Sequence, residues 1–212
     1  PWTHSEARPE VAEFDSVRDQ ITHCISTGYA LKKGKGKIHI AHVSVPDSVT
    51  RINHNQDILD ISCGVTPHHL LLNTDAMKGE NGILYKVNPS LRASETQEKL
   101  LKQFLAGKID TLESDHAPHT LEEKTGFPDE TGKPQYMSGI PNLANWPRIL
   151  TLLSTFGANN DLIEKTFHDN VAEIFGVDKL RNWEPIKYGA HVRDYAFDPY
   201  EKLKDEIMEV RD

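Results

Sequence analysis

Cysteine is scarce in this sequence, with two residues, Cys24 and Cys63, in 212. Two are too few for a disulfide framework. Both fall in apolar segments of the kind that bury free thiols, so a reducing compartment is expected. Long apolar runs are lacking too: no stretch approaches the roughly 18 residues of a membrane span. The opening Pro1-Trp2-Thr3-His4 has neither an initiator methionine nor a charged-then-apolar leader. The expectation is a cytoplasmic protein without a membrane partner, cut from a longer chain. Positive charge is in deficit, 24 Lys and Arg against 32 Asp and Glu, for a formal charge of -8. That balance argues against a nucleic-acid or anionic-membrane surface and leaves a small molecule as the expected partner. Glycine-rich phosphate turns are missing as well. The run Lys32-Lys33-Gly34-Lys35-Gly36-Lys37 is cationic, but its spacing fits no phosphate loop.

What is present suits one large soluble domain, or a domain with a small appendage, with an apolar fraction of 37% and a charged fraction of 26%. From Pro9, apolar residues at Phe14, Val17, Ile21, Cys24 and Ile25 follow helical spacing. Short runs bounded by Gly, Pro or Asn predict strands over 38–44, 57–64, 83–87 and 108–113. Between the last two, Ser94 and Gln97 read as a capping box, Leu100, Leu101, Phe104 and Leu105 as a buried stripe, and Gly107 as a stop. The segment 119–138 reads as a long loop, of the kind that forms lids. Helices are expected over 143–156, 162–167 and 169–176, then β-like pieces such as Tyr195-Ala196-Phe197 and a charged terminal helix from Tyr200.

Strand and helix in alternation predict a parallel sheet with crossover helices. Without a glycine-rich turn, a (β/α) barrel fits better than a doubly wound sheet. The strand ends then fall near His4, His42, Thr66, Asn88 and Asp115, the first being only a stub, and His4, His42, Asn88 and Asp115 converge on the carboxyl-terminal rim. Asp115 heads Asp115-His116-Ala117-Pro118-His119, where a strand gives way to a loop. A carboxylate there, beside imidazoles and a stiffening proline, can ligate a metal or accept a proton. His39 and His42, three apart on a strand, point to opposite faces, so at most one enters a site, and His42 is nearer the strand's end. The adjacent His68 and His69 read as structural hydrogen-bonders.

These motifs resemble the dihydroorotase family of the amidohydrolase superfamily. The resemblance rests on His4-Ser5-Glu6 with Arg8-Pro9, His39-Ile40-Ala41-His42-Val43-Ser44, Val65-Thr66-Pro67-His68-His69-Leu70, Val87-Asn88-Pro89-Ser90-Leu91-Arg92, and Ser114-Asp115-His116-Ala117-Pro118-His119-Thr120 with Glu122-Glu123-Lys124. It implies the C-terminal part of a TIM-like (β/α)8 barrel over residues 1–180, with a small irregular or β-like extension over 181–212. It implies Zn2+, one or two ions per complete site, held in part by His4, His42 and Asp115. Asp115 would accept the proton of the bridging hydroxide as it attacks the ring amide and pass it to the departing nitrogen. Asn88 and His119 would hold the substrate carboxylate. The activity implied is reversible hydrolysis of dihydroorotate to N-carbamoyl-aspartate in pyrimidine biosynthesis. Hydantoinase, dihydropyrimidinase or allantoinase activity is the nearest alternative. The partners implied are an upstream barrel segment carrying the family's His-Xaa-His and bridging ligand, further copies of the chain, and aspartate transcarbamoylase, the last also for an inactive scaffold. Three departures stand out: Ser90 where the family has Pro, Asn142 where Gly-Ile-Pro-Gly ends in Gly, and a degenerate Tyr188-Gly189-Ala190-His191-Val192.

Overall fold

A computed structural model describes residues 2–32, 36–177 and 197–203. Three strands, β1 (Ile38–Ile40), β2 (Ile61–Val65) and β3 (Thr111–Leu112), form a parallel sheet in the order β1-β2-β3. Ile38 pairs with Ile61, and Gly64 with Thr111. Parallel neighbours need crossovers. α3 (Pro46–Asn53) joins β1 to β2, and α4 (Pro67–Leu71) with α5 (Ser94–Leu105) joins β2 to β3. One parallel bridge, His116 to Ile140, continues the pairing beyond β3.

Sequence spacing explains the packing of α2 (Glu10–Thr27). Val17, Ile21 and Cys24 are buried, Ile25 is exposed, and Gly28 closes the helix with a left-handed φ of 72°. Pro9 is its N-cap. β2 is buried along its whole length, the mark of a strand covered on both faces. α5 buries Leu100 and Phe104 against that layer.

Four local expectations are corrected. The stub strand ending at His4 is instead helix α1 (Trp2–Glu6). The expected strand over 83–87 is a 3₁₀ turn, Gly82–Tyr85, because its backbone donors close locally: Leu84 N–H to Asn81 O and Lys86 N–H to Ile83 O, each at 3.1 Å. Ser94 is the first residue of α5, not its cap; its hydroxyl donates to Glu98, and Gln97 turns inward to Leu70 O. A capping box exists at Thr120 and Glu123, which open α6 (Leu121–Thr125). The long loop is therefore structured: α6 is followed by a hairpin of β4 (Phe127–Pro128) and β5 (Pro134–Gln135).

α7 (Trp146–Thr155), α8 (Asn160–Glu164), a π-helical turn (Lys165–Asp169) and α9 (Asn170–Phe175) complete the helical layer. Most of the expected extension over 181–212 lies outside the described residues. Within 197–203, Phe197 meets Tyr85 edge-on and Tyr200 is wholly buried. Among the described residues no helix is long and apolar enough to cross a membrane.

Candidate active site

Each strand hands the chain to a loop at the same edge of the sheet. β1 leads to His42 and β3 to Asp115, and both take left-handed backbone angles, φ 41° and 39°. Non-glycine residues rarely adopt that conformation. Between them, after β2, α4 carries His68 and His69. Thr66 caps α4 by accepting from His69 N–H at 3.2 Å, with Pro67 in the first turn.

Glu113 organises the strand-end layer. It accepts from His39 Nε2 at 2.5 Å, from the His42 backbone N–H at 2.9 Å and from Thr111 Oγ1 at 3.0 Å. Burial opposes its charge, but the His39 and His42 hydrogen bonds outweigh burial and hold the carboxyl below its usual range. His39, whose other ring nitrogen lies 2.8 Å from Ser62 Oγ, is thereby committed to the sheet. His42 is not: its Nδ1 is buried with no hydrogen-bond partner among the described residues. Asp115 is half-buried. Desolvation raises its pKa, the charge of His42 opposes the rise, and Glu113 adds to it.

The paired histidines keep their ring centroids 4.5 Å apart but bond to different partners. His69 donates to Pro89 O at 2.9 Å and accepts from Thr66 Oγ1 at 2.7 Å, and burial pushes its pKa down to about 4. It is a structural hydrogen-bonder, as expected. His68 is bonded differently. Its Nε2 lies 3.8 Å from Asp115 Oδ2, and its Nδ1 meets Asn142 Nδ2 at 3.0 Å. Sequence reasoning missed this because Asn142 is 74 residues away.

Of the remaining candidates, Asn88 shares a cleft with His42, while His4 and His119 have partners of their own. His4 donates through Nε2 to Val87 O at 2.9 Å, and Ser5 and Ser90 link their hydroxyls at 2.5 Å, tying α1 to the loop that presents Asn88. The Asn88–Pro89 peptide is cis. Asn88 and His42 line a common cleft of about 620 Å³, with Glu13 and Arg92. Arg92 is engaged with Ser44 Oγ, Arg8 O and Glu13, so its charge is largely answered within the protein. His119 Nδ1 lies 3.5 Å from Glu123 Oε2. Among the described residues no group of three or more His, Cys, Asp or Glu is arranged to hold a metal.

The most informative buried cation was not anticipated. Lys124, 1% exposed, donates to Lys86 O, Met137 O and Gly139 O at 3.0, 3.2 and 2.8 Å, fastening α6 to both the Asn88 segment and the strand-end bridge.

No family model matches the chain. A curated dihydroorotase from Thermoplasma acidophilum is 40% identical over 177 residues, 83% of this chain and 36% of that protein. The solved D-hydantoinase (dihydropyrimidinase) of Thermus sp. superposes with a TM-score of 0.67 at 22% identity, over 82% of this chain and 37% of its own. The L-hydantoinase (dihydropyrimidinase) of Arthrobacter aurescens gives 0.64 at 28% identity, over 79% and 36%. These structural neighbours are TIM-barrel amidohydrolases, in keeping with the mixed α/β sheet seen here. The chain spans a little over a third of the Thermoplasma relative's length. With the motifs around His42, Asn88 and Asp115 in place, the chain is similar to dihydroorotases over part of their length.

Proposed function

We propose that this chain supplies the carboxyl-terminal barrel portion, residues 1–180, of a zinc-dependent dihydroorotase, with 181–212 as an appended extension. The observation that carries the reading is the placement of His42 and Asp115 at the ends of β1 and β3, on the same edge of a parallel sheet. Ligands bind at that edge in such folds.

The residues suit a metal in chemistry and fall short in number. His42 offers a buried, unpartnered ring nitrogen and Asp115 a half-buried carboxylate. Catalytic zinc usually takes about three protein ligands. The rest of the shell therefore belongs to residues beyond this cluster, in a segment of the complete enzyme. His4, donating through Nε2 to Val87 O, has Nδ1 as the nitrogen that could join the shell. A bound zinc would polarise the ring carbonyl and acidify water.

The chain's own residues do the rest. Asp115 takes the proton of the attacking water as the new C–O bond forms at the ring carbonyl. It returns that proton to the ring nitrogen as the C–N bond breaks, giving N-carbamoyl-aspartate. Burial raises its proton affinity, which favours this shuttle. Asn88 and His119, an amide donor and an imidazole donor, take the substrate carboxylate.

The test is hydrolysis of dihydroorotate by the complete enzyme, set against hydantoin, dihydrouracil and allantoin, with zinc measured by elemental analysis. Preference for another ring would move the assignment to a related cyclic-amide hydrolase. Metal-free, inactive protein that still binds aspartate transcarbamoylase would make the chain a scaffold. Sizing of the same sample reads out self-association.

A further inference from the structure

Carbonyl oxygens only accept hydrogen bonds, and that fixes a proton deep in this site. Asn142 is fully buried, and its Nδ2 stands 2.6 Å from Ser114 O, so the amide nitrogen faces Ser114. Its Oδ1 consequently faces the hydroxyl of Tyr200, 2.5 Å away, which donates to it. The second N–H of the amide is directed to His68 Nδ1 at 3.0 Å, which must accept. A neutral imidazole carries one proton, so that of His68 sits on Nε2. An Nδ1 that accepts carries no proton, so the ring is the neutral form. Nε2 has no hydrogen-bond partner among the described residues and lies 3.8 Å from Asp115 Oδ2.

We infer that Asn142, anchored by Tyr200 and Ser114 O, fixes the Nε2–H tautomer of His68 and so makes His68 a positioning residue that turns an N–H edge toward Asp115, 3.8 Å away. With the proton on Nε2, the ring presents a positive edge to one carboxylate oxygen and leaves the other for the reaction. With the proton on Nδ1, a lone pair would face the carboxylate and push it away. The dihydroorotase pattern has glycine at position 142, which has no amide to give, so the tie belongs to this chain's own sequence. The inference rests on Asp115 being the proton acceptor, whereas the tautomer itself does not.

Nitrogen NMR of the chain with 15N-labelled histidine tests it, the His68 signals being identified by their loss in His68→Gln. The wild type should show the Nε2–H tautomer. Asn142→Asp, whose carboxylate can only accept, should move the proton to Nδ1, and Tyr200→Phe, which unanchors the amide, should populate both forms. An Nδ1–H wild type overturns the inference, as does an unchanged tautomer in Asn142→Asp. Should Asn142→Asp fail to fold by circular dichroism, the absence of a second tautomer in Tyr200→Phe overturns it instead. In the complete enzyme, Asn142→Gly should lower kcat for dihydroorotate by about 10- to 100-fold with KM within about twofold. Unchanged kcat removes the positioning role. If wild-type enzyme hydrolyses no dihydroorotate, the functional reading fails, and the spectra still decide the tautomer.

Discussion

Glu113 occupies the space that any side chain at residue 64 would need: a Cβ built on Gly64 would stand 1.8 Å from Glu113 Oε1. The carboxylate crosses over β2 at that point to reach His39 and the His42 backbone. Gly64→Ala should therefore displace Glu113 and cost about 1–3 kcal/mol, as overpacking does. Urea unfolding checks it; a midpoint equal to wild type would mean that the carboxylate has another place to go.

Asp115→Asn keeps the shape of the side chain and removes the proton acceptor. Turnover of dihydroorotate by the complete enzyme should fall by about 10² to 10⁴, with circular dichroism unchanged. Near wild-type turnover would end the assignment of Asp115 as the base.

Asn88→Ala and His119→Ala should raise KM for dihydroorotate while zinc content stays constant. Asn88 shares its cleft with Arg92, and His119 lies beside Glu123. Loss of zinc in either variant would reassign that residue to the metal.

Lys124 gives a pH test remote from the chemistry. Burial, with the nearby charge of Lys86, pushes its pKa down to about 8 from an ordinary 10.5. Between those two values the unfolded chain holds a proton that the folded chain has released. Stability from this group therefore rises with pH through that window and is lowest below pH 8. Lys124→Met should flatten that rise. It should also lower stability at neutral pH by about 2–5 kcal/mol, because three carbonyls lose their donor. A Lys124→Met protein with the wild-type pH profile would contradict the argument.

Alternation of apolar runs was enough to read the parallel sheet, and the carboxyl-edge positions of His42 and Asp115 follow from it. The strand expected over 83–87 failed because a five-residue run with four apolar residues suits a strand or a turn equally. The deciding facts are local hydrogen bonds and the approach of Gly82 to Met77 O, where a Cβ would stand 1.9 Å away. Two capping-box patterns occur, Ser94 with Gln97 and Thr120 with Glu123, and only where each helix begins selects the second. His68 was legible as a residue but not as a member of the site, since its role is set by Asn142 and Tyr200, and the bond between those two spans 58 positions.

The left-handed backbone at His42 and Asp115 has a consequence for selection. Holding a side chain in that conformation costs about 1–2 kcal/mol, from which glycine is exempt. Glycine at either position would relax the strand end while removing a group that the proposed chemistry needs. A library ranked by heat resistance alone would thus enrich substitutions that silence the enzyme, and one ranked by turnover would keep both strained residues.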